Sequence, residues 1–338
     1  MPAPGEPDPP WLRAVAVPAM LAIGAMVAVQ SQINGELATR LGGGATGGVV
    51  AALVSFGTGF ALLCAVVIAS PSARRGMGAV WAAVRTGGLR WWQLVGGTAG
   101  AFLVVSQGLT VTTIGVALFT VAVVGGQTAS GLAVDHHGFG PAGLQAFSLL
   151  RVLGAATTVG AVAVSASDRL GGSDQLSAAA LALALFPLAA GAGMAWQQAV
   201  NGQVSIAGGP WAAAWVNFAV GTVWLLLAAA VTVAVAGLPP SLPTTWWLYI
   251  GGPIGVVFIS AAAVLVRVHG VLILGLATVC GQVGAALVVD QVVGTSGLGA
   301  LTITGAIVTL AGVLLAGLGT GRGAHWLRSR RSRSAPVA

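Results

Sequence analysis

Trp91-Trp92-Gln93-Leu94-Val95-Gly96-Gly97-Thr98-Ala99-Gly100 returns as Trp246-Trp247-Leu248-Tyr249-Ile250-Gly251-Gly252-Pro253-Ile254-Gly255. The two copies run on in step, through Gly115 and Gly270, Gly126-Gln127 and Gly281-Gln282, to Val134-Asp135 and Val289-Asp290. About fifteen of the forty-five aligned positions are identical without a gap, which marks an internal duplication. Between Trp91 and Val134 there is no charged residue. That length exceeds one membrane span of roughly 20 residues and suits two spans broken near Thr110–Gly115. Each copy reads as a helical hairpin in lipid.

Composition agrees. The chain is 57% hydrophobic and 6% charged, with a mean hydropathy of +0.94. Soluble domains carry about a quarter of their residues charged, so this is an integral membrane protein. All 14 basic residues are Arg, set in a few clusters, which argues against a nucleic-acid surface. Cys64 and Cys280 lie inside apolar runs and read as small core residues rather than as a disulfide or metal ligands.

Windows bounded by Gly, Pro or charge give ten spans: 14–34, 49–69, 91–110, 115–134, 144–166, 177–199, 212–236, 246–266, 270–289 and 298–319. The run after Arg13 has a twin in mid-chain, so it reads as a retained first helix and not as a signal peptide. Gln30-x-x-x-Asn34-Gly35 returns as Gln197-x-x-x-Asn201-Gly202, and Val54-Ser55-Phe56 with Gly59 returns as Val216-Asn217-Phe218 with Gly221. Spans 1–4 therefore match 6–9. The expected organisation is a disordered tail (1–12), a first five-helix repeat (13–168), a linker (169–176), a second five-helix repeat (177–321) and a basic cytoplasmic tail (322–338).

Five spans per repeat turn the second copy upside down, and the arginines are rearranged to match. The loop after span 2 carries Arg74, Arg75, Arg85 and Arg90, while its counterpart 237–245 carries none. The loop after span 8 carries Arg267 and His269 where the first copy has Thr112 and Ile114. A cytoplasmic N-terminus places Arg13, these four, Arg267 and the five tail arginines inside, leaving Arg40 and Arg169 outside. The expected fold is an all-α integral membrane protein of ten transmembrane helices in two inverted five-helix repeats, multi-pass in the cell membrane, with both termini cytoplasmic.

Arg90-Trp91-Trp92, the stretch from Gly126-Gln127 to Asp135-His136-His137-Gly138, the Gln30-x-x-x-Asn34 helix end and Val54-Ser55-Phe56 together resemble the YdcZ-type branch of the drug/metabolite transporter superfamily. These are bacterial inner-membrane proteins, many with five spans, and the chain looks like two such units fused in opposite orientations. The resemblance implies a ten-helix exporter of a small solute. Small multidrug exporters of that superfamily use an intramembrane Glu in the first helix; here the middle of span 1 has no acid and Glu36 comes late.

Gln30 and Asn34, four apart, share a helix face, as do Gln197 and Asn201. Amides in a span face protein or water, so the two pairs are either symmetry-related rims of a substrate pathway, or interhelical hydrogen bonds and a helix end at Asn-Gly. Gln127 and Gln282 lie eight residues before Asp135 and Asp290, about 12 Å deeper and near the midplane, where they are expected to line the pathway. Asp135 and Asp290 then stand at opposite mouths, as gate or proton-carrying acids together with Glu36, or as solvated boundary residues. Ser55 and Asn217 are lone polar residues that line the path or pack helices. Arg151 either snorkels to headgroups or binds an anion.

Asp135-His136-His137 lacks a fourth ligand and reads as a hydrated turn, so no metal site is expected. Trp211, Trp215, Trp246 and Trp247 suit an interfacial belt, with Trp215 an alternative aromatic lining for lipophilic cations. Gly-x-x-x-x-Gly-Lys cannot occur without Lys, so ATP does not drive the protein directly. The reading is a secondary transporter of a small metabolite or drug-like solute by alternating access, an exporter, with the proton gradient as the energy source if transport is coupled. The rival is a membrane scaffold or subunit with structural polar residues; an enzyme is not expected, and neither is a cofactor. Expected partners are the solute and the lipid bilayer.

Overall fold

The computed structural model describes residues 10–139, 148–170, 178–239, 241–293 and 299–333. All regular structure among them is helical: α1 (Pro10–Arg40), α2 (Gly44–Ala69), α3 (Pro71–Arg85), α4 (Gly97–His136), α5 (Leu149–Leu170), α6 (Ala178–Ala236), α7 (Gly251–Val293) and α8 (Ala300–Arg333). Helix is the expected outcome for these segments, because in hydrocarbon every backbone amide and carbonyl must be paired within the segment itself. Four described stretches are long and apolar enough to cross a membrane: Val15–Arg40, Gly44–Ala69, Trp91–His136 and Leu183–Ala236. The chain is embedded in a membrane. Residues 1–9, most of the 169–176 linker and 334–338 lie outside the described residues, as do the side chains of Arg13, Arg169, Arg267, His269 and the tail arginines.

The last two of those stretches are 46 and 54 residues long, more than one crossing, and each is divided by a glycine. In α4 the break is Gly115, at φ 76° and ψ 162°; in α6 it is Gly209, at φ 82° and ψ 172°, followed by Pro210. Only glycine takes such angles without strain, and Pro210 lacks the N–H that would continue the helix. The expected division near 110–115 is thus present as a one-residue break, not as a loop.

Several boundaries differ from expectation. Helix α1 begins at Pro10 and runs past Asn34-Gly35 to Arg40, so no helix end lies at Asn-Gly. The residues 91–94 and 246–249 are single 3-10 turns ahead of α4 and α7 rather than the first turns of those helices. The basic tail is helical as far as Arg333. The arginine-rich loop after span 2 is the helix α3. Ser70 caps it, accepting from the Ala73 N–H, with Pro71 in the first turn, and Gly87 at φ 77° follows its end. Its Met77, Val80 and Val84 pack against Val204, Ala207 and Ala212 of α6 and Ala73 is buried on the same side, while Arg74, Arg75, Trp81 and Arg85 face outward. A spacing of three and four suits a helix lying on a surface, which sequence windows tuned to apolar spans pass over.

The two halves interlock through reciprocal contacts. A Cβ on Gly97 would lie 1.9 Å from the Asn217 carbonyl oxygen, and one on its counterpart Gly252 would lie 1.8 Å from that of Ser55, the counterpart of Asn217. Gly126 meets the Leu188 carbonyl as Gly281 meets that of Leu21; Gly24 meets Thr278 as Gly191 meets Val123. Small residues let backbones approach closely, and here they place α1 on α7 and α6 on α4 in matching fashion. The second half of α4, Ile114–Gly126, is buried on all sides, so it forms the centre of the molecule. Large apolar side chains such as Trp224, Leu227, Val231 and Val235 face outward, as lipid contact requires.

Candidate functional site

Two polar clusters lie where the halves meet. In the first, Gln30, Ser31 and Asn34 of α1 face Gln107 of α4, Ser55 of α2 and the N-terminus of α7. Gln30 Nε2 donates to the Gly251 carbonyl at 2.7 Å. Asn34 Nδ2 donates to Gln107 Oε1 at 2.6 Å, and Gln107 Nε2 donates to Ser31 Oγ at 3.0 Å. The Ser31 hydroxyl in turn donates to the Val27 carbonyl at 2.9 Å. Asn34 and Gln107 are fully buried, and the bond between them offsets part of the cost of burying amides in lipid.

In the second, Gln197 and Asn201 of α6 face Asn217 of the same helix and the start of α4. Asn201 Nδ2 donates to Asn217 Oδ1 at 3.0 Å. Asn201 Oδ1 and Gln197 lie against Gly96, and Gln197 also lies against Gly100. In the first cluster Asn34 Oδ1 and Ser55 Oγ lie against Gly251, and Gln30 against Gly255. Position for position, the clusters correspond, and each draws residues from both halves. The break at Gly209 allows this, since it folds α6 back so that residues 201 and 217 meet.

The correspondence is incomplete in one informative respect. Gln107, which the sequence reading passed over, aligns with Ala262, and Ser31 aligns with the exposed Gln198. A search for polar residues held in both copies therefore misses the residue that closes the first cluster. Its signal was being one of two Gln in the span pair 97–136, an uncharged run as far as Val134.

Gln127 and Gln282 are not brought together: no hydrogen bond joins them, and neither belongs to the clusters above. Gln127 is partly exposed beside an apolar groove of about 330 Å³ lined by Ala129, Val159, Leu185 and Leu188. Gln282 is buried, next to the α1 contact at Gly281.

Among the acids, Glu36 pairs with Arg40 one turn on at 2.8 Å, on a partly exposed face. Asp135 pairs with Arg151, whose side chain is buried to all but 10%. Arg151 thus has a carboxylate partner, whose own side chain is 40% exposed. Asp290 is 1% exposed and is no solvated boundary residue. Its Oδ1 accepts from the Val116 N–H at 2.8 Å and its Oδ2 from the Ala117 N–H at 3.0 Å. These are the first amides of α4 beyond the Gly115 break, so a side chain of α7 caps the helix that restarts there. A carboxylate is the right group there, because the freed amides carry the positive end of the helix dipole.

The histidine turn gathers no ligands. Among the described residues no group of three His, Cys, Asp or Glu could hold a metal, and His137 Nδ1 sits 2.8 Å from the Ala133 carbonyl. Cys64 and Cys280 are free thiols. Trp215 packs on Phe60 at 5.3 Å between centroids, both partly buried, whereas Trp246 is well exposed at the end of its segment.

A family model described as "Putative inner membrane exporter, YdcZ" matches residues 15–164 and matches again at 182–319. No curated protein matches the chain. The two matched regions divide within the linker region, and each contains one partner of every reciprocal contact described above. The chain belongs to the YdcZ-type branch of the drug/metabolite transporter superfamily, a family of membrane transport proteins, and carries that family's unit once in each half.

Proposed function

We propose that the protein is a secondary transporter that exports a small metabolite or drug-like solute by alternating access, through ten spans arranged as two inverted five-span repeats with both termini cytoplasmic. The observation that carries this reading is the pair of polar clusters, Gln30/Asn34/Ser55 and Gln197/Asn201/Asn217, at equivalent places in the two halves. A carrier needs one gate on each side of a central site, and inverted repeats supply the two gates from one design. The glycine contacts support the same reading, since helices with no side chain between them can slide from one packing to another.

Proton coupling is part of the proposal, with Glu36, Asp135 and Asp290 as carriers. Each acid has a partner that its protonation would release: Arg40, Arg151 and the amides of Val116 and Ala117. Among them Asp290 is the buried one. Gln127 and Gln282 enter only as lining of the pathway, each in its own half.

A scaffold reading draws on one observation, that Asn34, Gln107 and Ser31 bond to one another as packing residues would. Reconstitution separates the two. Purified protein in liposomes is given radiolabelled amines, amino acids and sugars with and without a pH gradient, beside Asn34→Ala and Asn201→Ala variants that remain monodisperse. Flux in the native protein that is lost in both variants supports the carrier. Absence of flux for every solute under every gradient would leave the scaffold as the better account.

A further inference from the structure

Helix α3 is tied at both ends to membrane spans. Ser70 joins it directly to the span that ends at Ala69, and the buried Leu89 leads from its far end to the span that starts at Trp91. Its 15 residues, about 22 Å of amphipathic helix, do not cross the bilayer, so the two span ends lie on one side and α3 runs between them at that surface. Glycine seats it there. A Cβ on Gly76 would stand 2.1 Å from the Gly208 carbonyl oxygen, and one on Gly208 would stand 2.4 Å from Val80 Cγ2. This contact falls one residue before the Gly209 break, where α6 folds back.

With its inner face committed to α6, the helix turns Arg74, Arg75, Trp81 and Arg85 outward. Trp81 and Arg85 follow Arg74 by about two and three helical turns, so the three line up along one edge. Arg85 stands over the Trp81 ring, 5.3 Å from its centroid. Arg74 spends one N–H on the Ile68 carbonyl and keeps the others. No carboxylate answers this charge among the described residues. The sequence has no acid between Glu36 and Asp135, and those two are paired with Arg40 and Arg151. Asp290 is held by the amides of α4.

Two exposed rings place this face in the headgroup layer and not in bulk water: Trp81 is 57% exposed and Trp91, where the next span starts, 73%. We propose that the outward face of α3 is a binding surface for the phosphates of anionic phospholipid, with Arg74, Arg75 and Arg85 as the donors and Trp81 set among them. Guanidinium presents a planar fork of N–H groups that matches two phosphate oxygens. A zwitterionic headgroup carries the same phosphate but neutralises it with its own ammonium, so the surface selects for net negative charge. Because α3 also seats the turn of α6 at Gly209, headgroup binding stabilises the fold. The inference needs only a membrane-embedded chain and stands whether or not the protein is a carrier.

The test is thermal unfolding of the full chain in a neutral detergent, titrated with phosphatidylglycerol, phosphatidylcholine or sodium phosphate. Phosphatidylglycerol is expected to raise the midpoint by about 4 °C, and the other two by less than about 1 °C. Arg75→Gln/Arg85→Gln alters two exposed side chains, so it should match the native midpoint without lipid and lose about half of the shift or more. Arg328→Gln/Arg330→Gln, in the basic tail, should keep the shift. If the α3 pair unfolds, Arg75→Gln alone makes the same comparison, with a smaller loss. An undiminished shift in the α3 variants, an equal loss in the tail variant, or no shift with phosphatidylglycerol would overturn the surface. A shift of the same size with phosphatidylcholine or inorganic phosphate would overturn the anionic headgroup as its occupant.

Discussion

Phe56 and Phe218 meet with ring centroids 4.9 Å apart, and each ring occupies the space beside the glycine three positions beyond the other. A Cβ on Gly221 would lie 2.3 Å from the Phe56 ring, and one on Gly59 would lie 2.3 Å from that of Phe218. Two counterpart residues that touch each other must sit on the axis relating the halves, so this pair marks the centre of their interface. Both rings are buried, with Ala52, Leu63, Val104 and Leu225 around them.

Truncating either ring opens a void at that centre. Phe56→Ala and Phe218→Ala should each destabilise the protein by about 3 kcal/mol, with similar losses because their surroundings correspond. The double variant should fall short of the sum by about 1 kcal/mol, the worth of the ring contact. Thermal unfolding in detergent, followed by size-exclusion fluorescence, measures all three. Strongly unequal losses would mean that the two rings are not equivalent.

Gly97→Ala and Gly252→Ala place a methyl group against a backbone carbonyl that has no side-chain freedom to give way. Overpacking of this kind costs about 1–3 kcal/mol or more, and the monodisperse fraction should drop for both variants. Gly57→Ala and Gly275→Ala, where nothing stands within 4 Å, serve as controls and should be neutral or slightly stabilising through helix propensity.

At Asp290, Asn retains one acceptor for the α4 amides and loses the charge, whereas Ala retains neither. The expected order of stability is Asp, then Asn, then Ala, with the Ala variant lower by about 2 kcal/mol, the upper end for a capping residue. The same order should appear in hydrogen exchange at Val116 and Ala117, whose amides it caps. Equal stability of the three would show that the break at Gly115 holds without its cap.

Helical spans and the duplication were legible because both rest on composition and periodicity, which survive without coordinates. So were the cluster residues Gln30, Asn34, Ser55, Gln197, Asn201 and Asn217, each polar in an apolar run and each present in both copies. What remained hidden were pairings across long sequence distance. Asp290 reads as a gate acid or a solvated boundary residue because it closes the apolar span 270–289, yet its partner lies at residues 116–117, which no local pattern names. Arg151 reads as a charge seeking headgroups or an anion, and its pairing with Asp135 sixteen residues away has no local signal. Gln107 was lost for the opposite reason, since filtering for repeated residues discards the half of a bonded pair that one copy alone possesses.

The inverted arrangement predicts which side each connection faces. Helix α3 and the segment 237–245 follow equivalent spans in the two halves, yet one is a basic surface helix and the other is a short stretch without arginine. If the repeats are inverted, these two must lie on opposite faces of the membrane. In a background with Cys64 and Cys280 replaced by Ser, single cysteines at exposed Arg85 and exposed Leu242 report this directly. A membrane-impermeant maleimide should label the cysteine at 242 in intact spheroplasts and the one at 85 only in inside-out vesicles. Labelling of both from the same side would remove the inversion, and with it the two-gate mechanism, while leaving the glycine contacts and the capping of α4 as they stand.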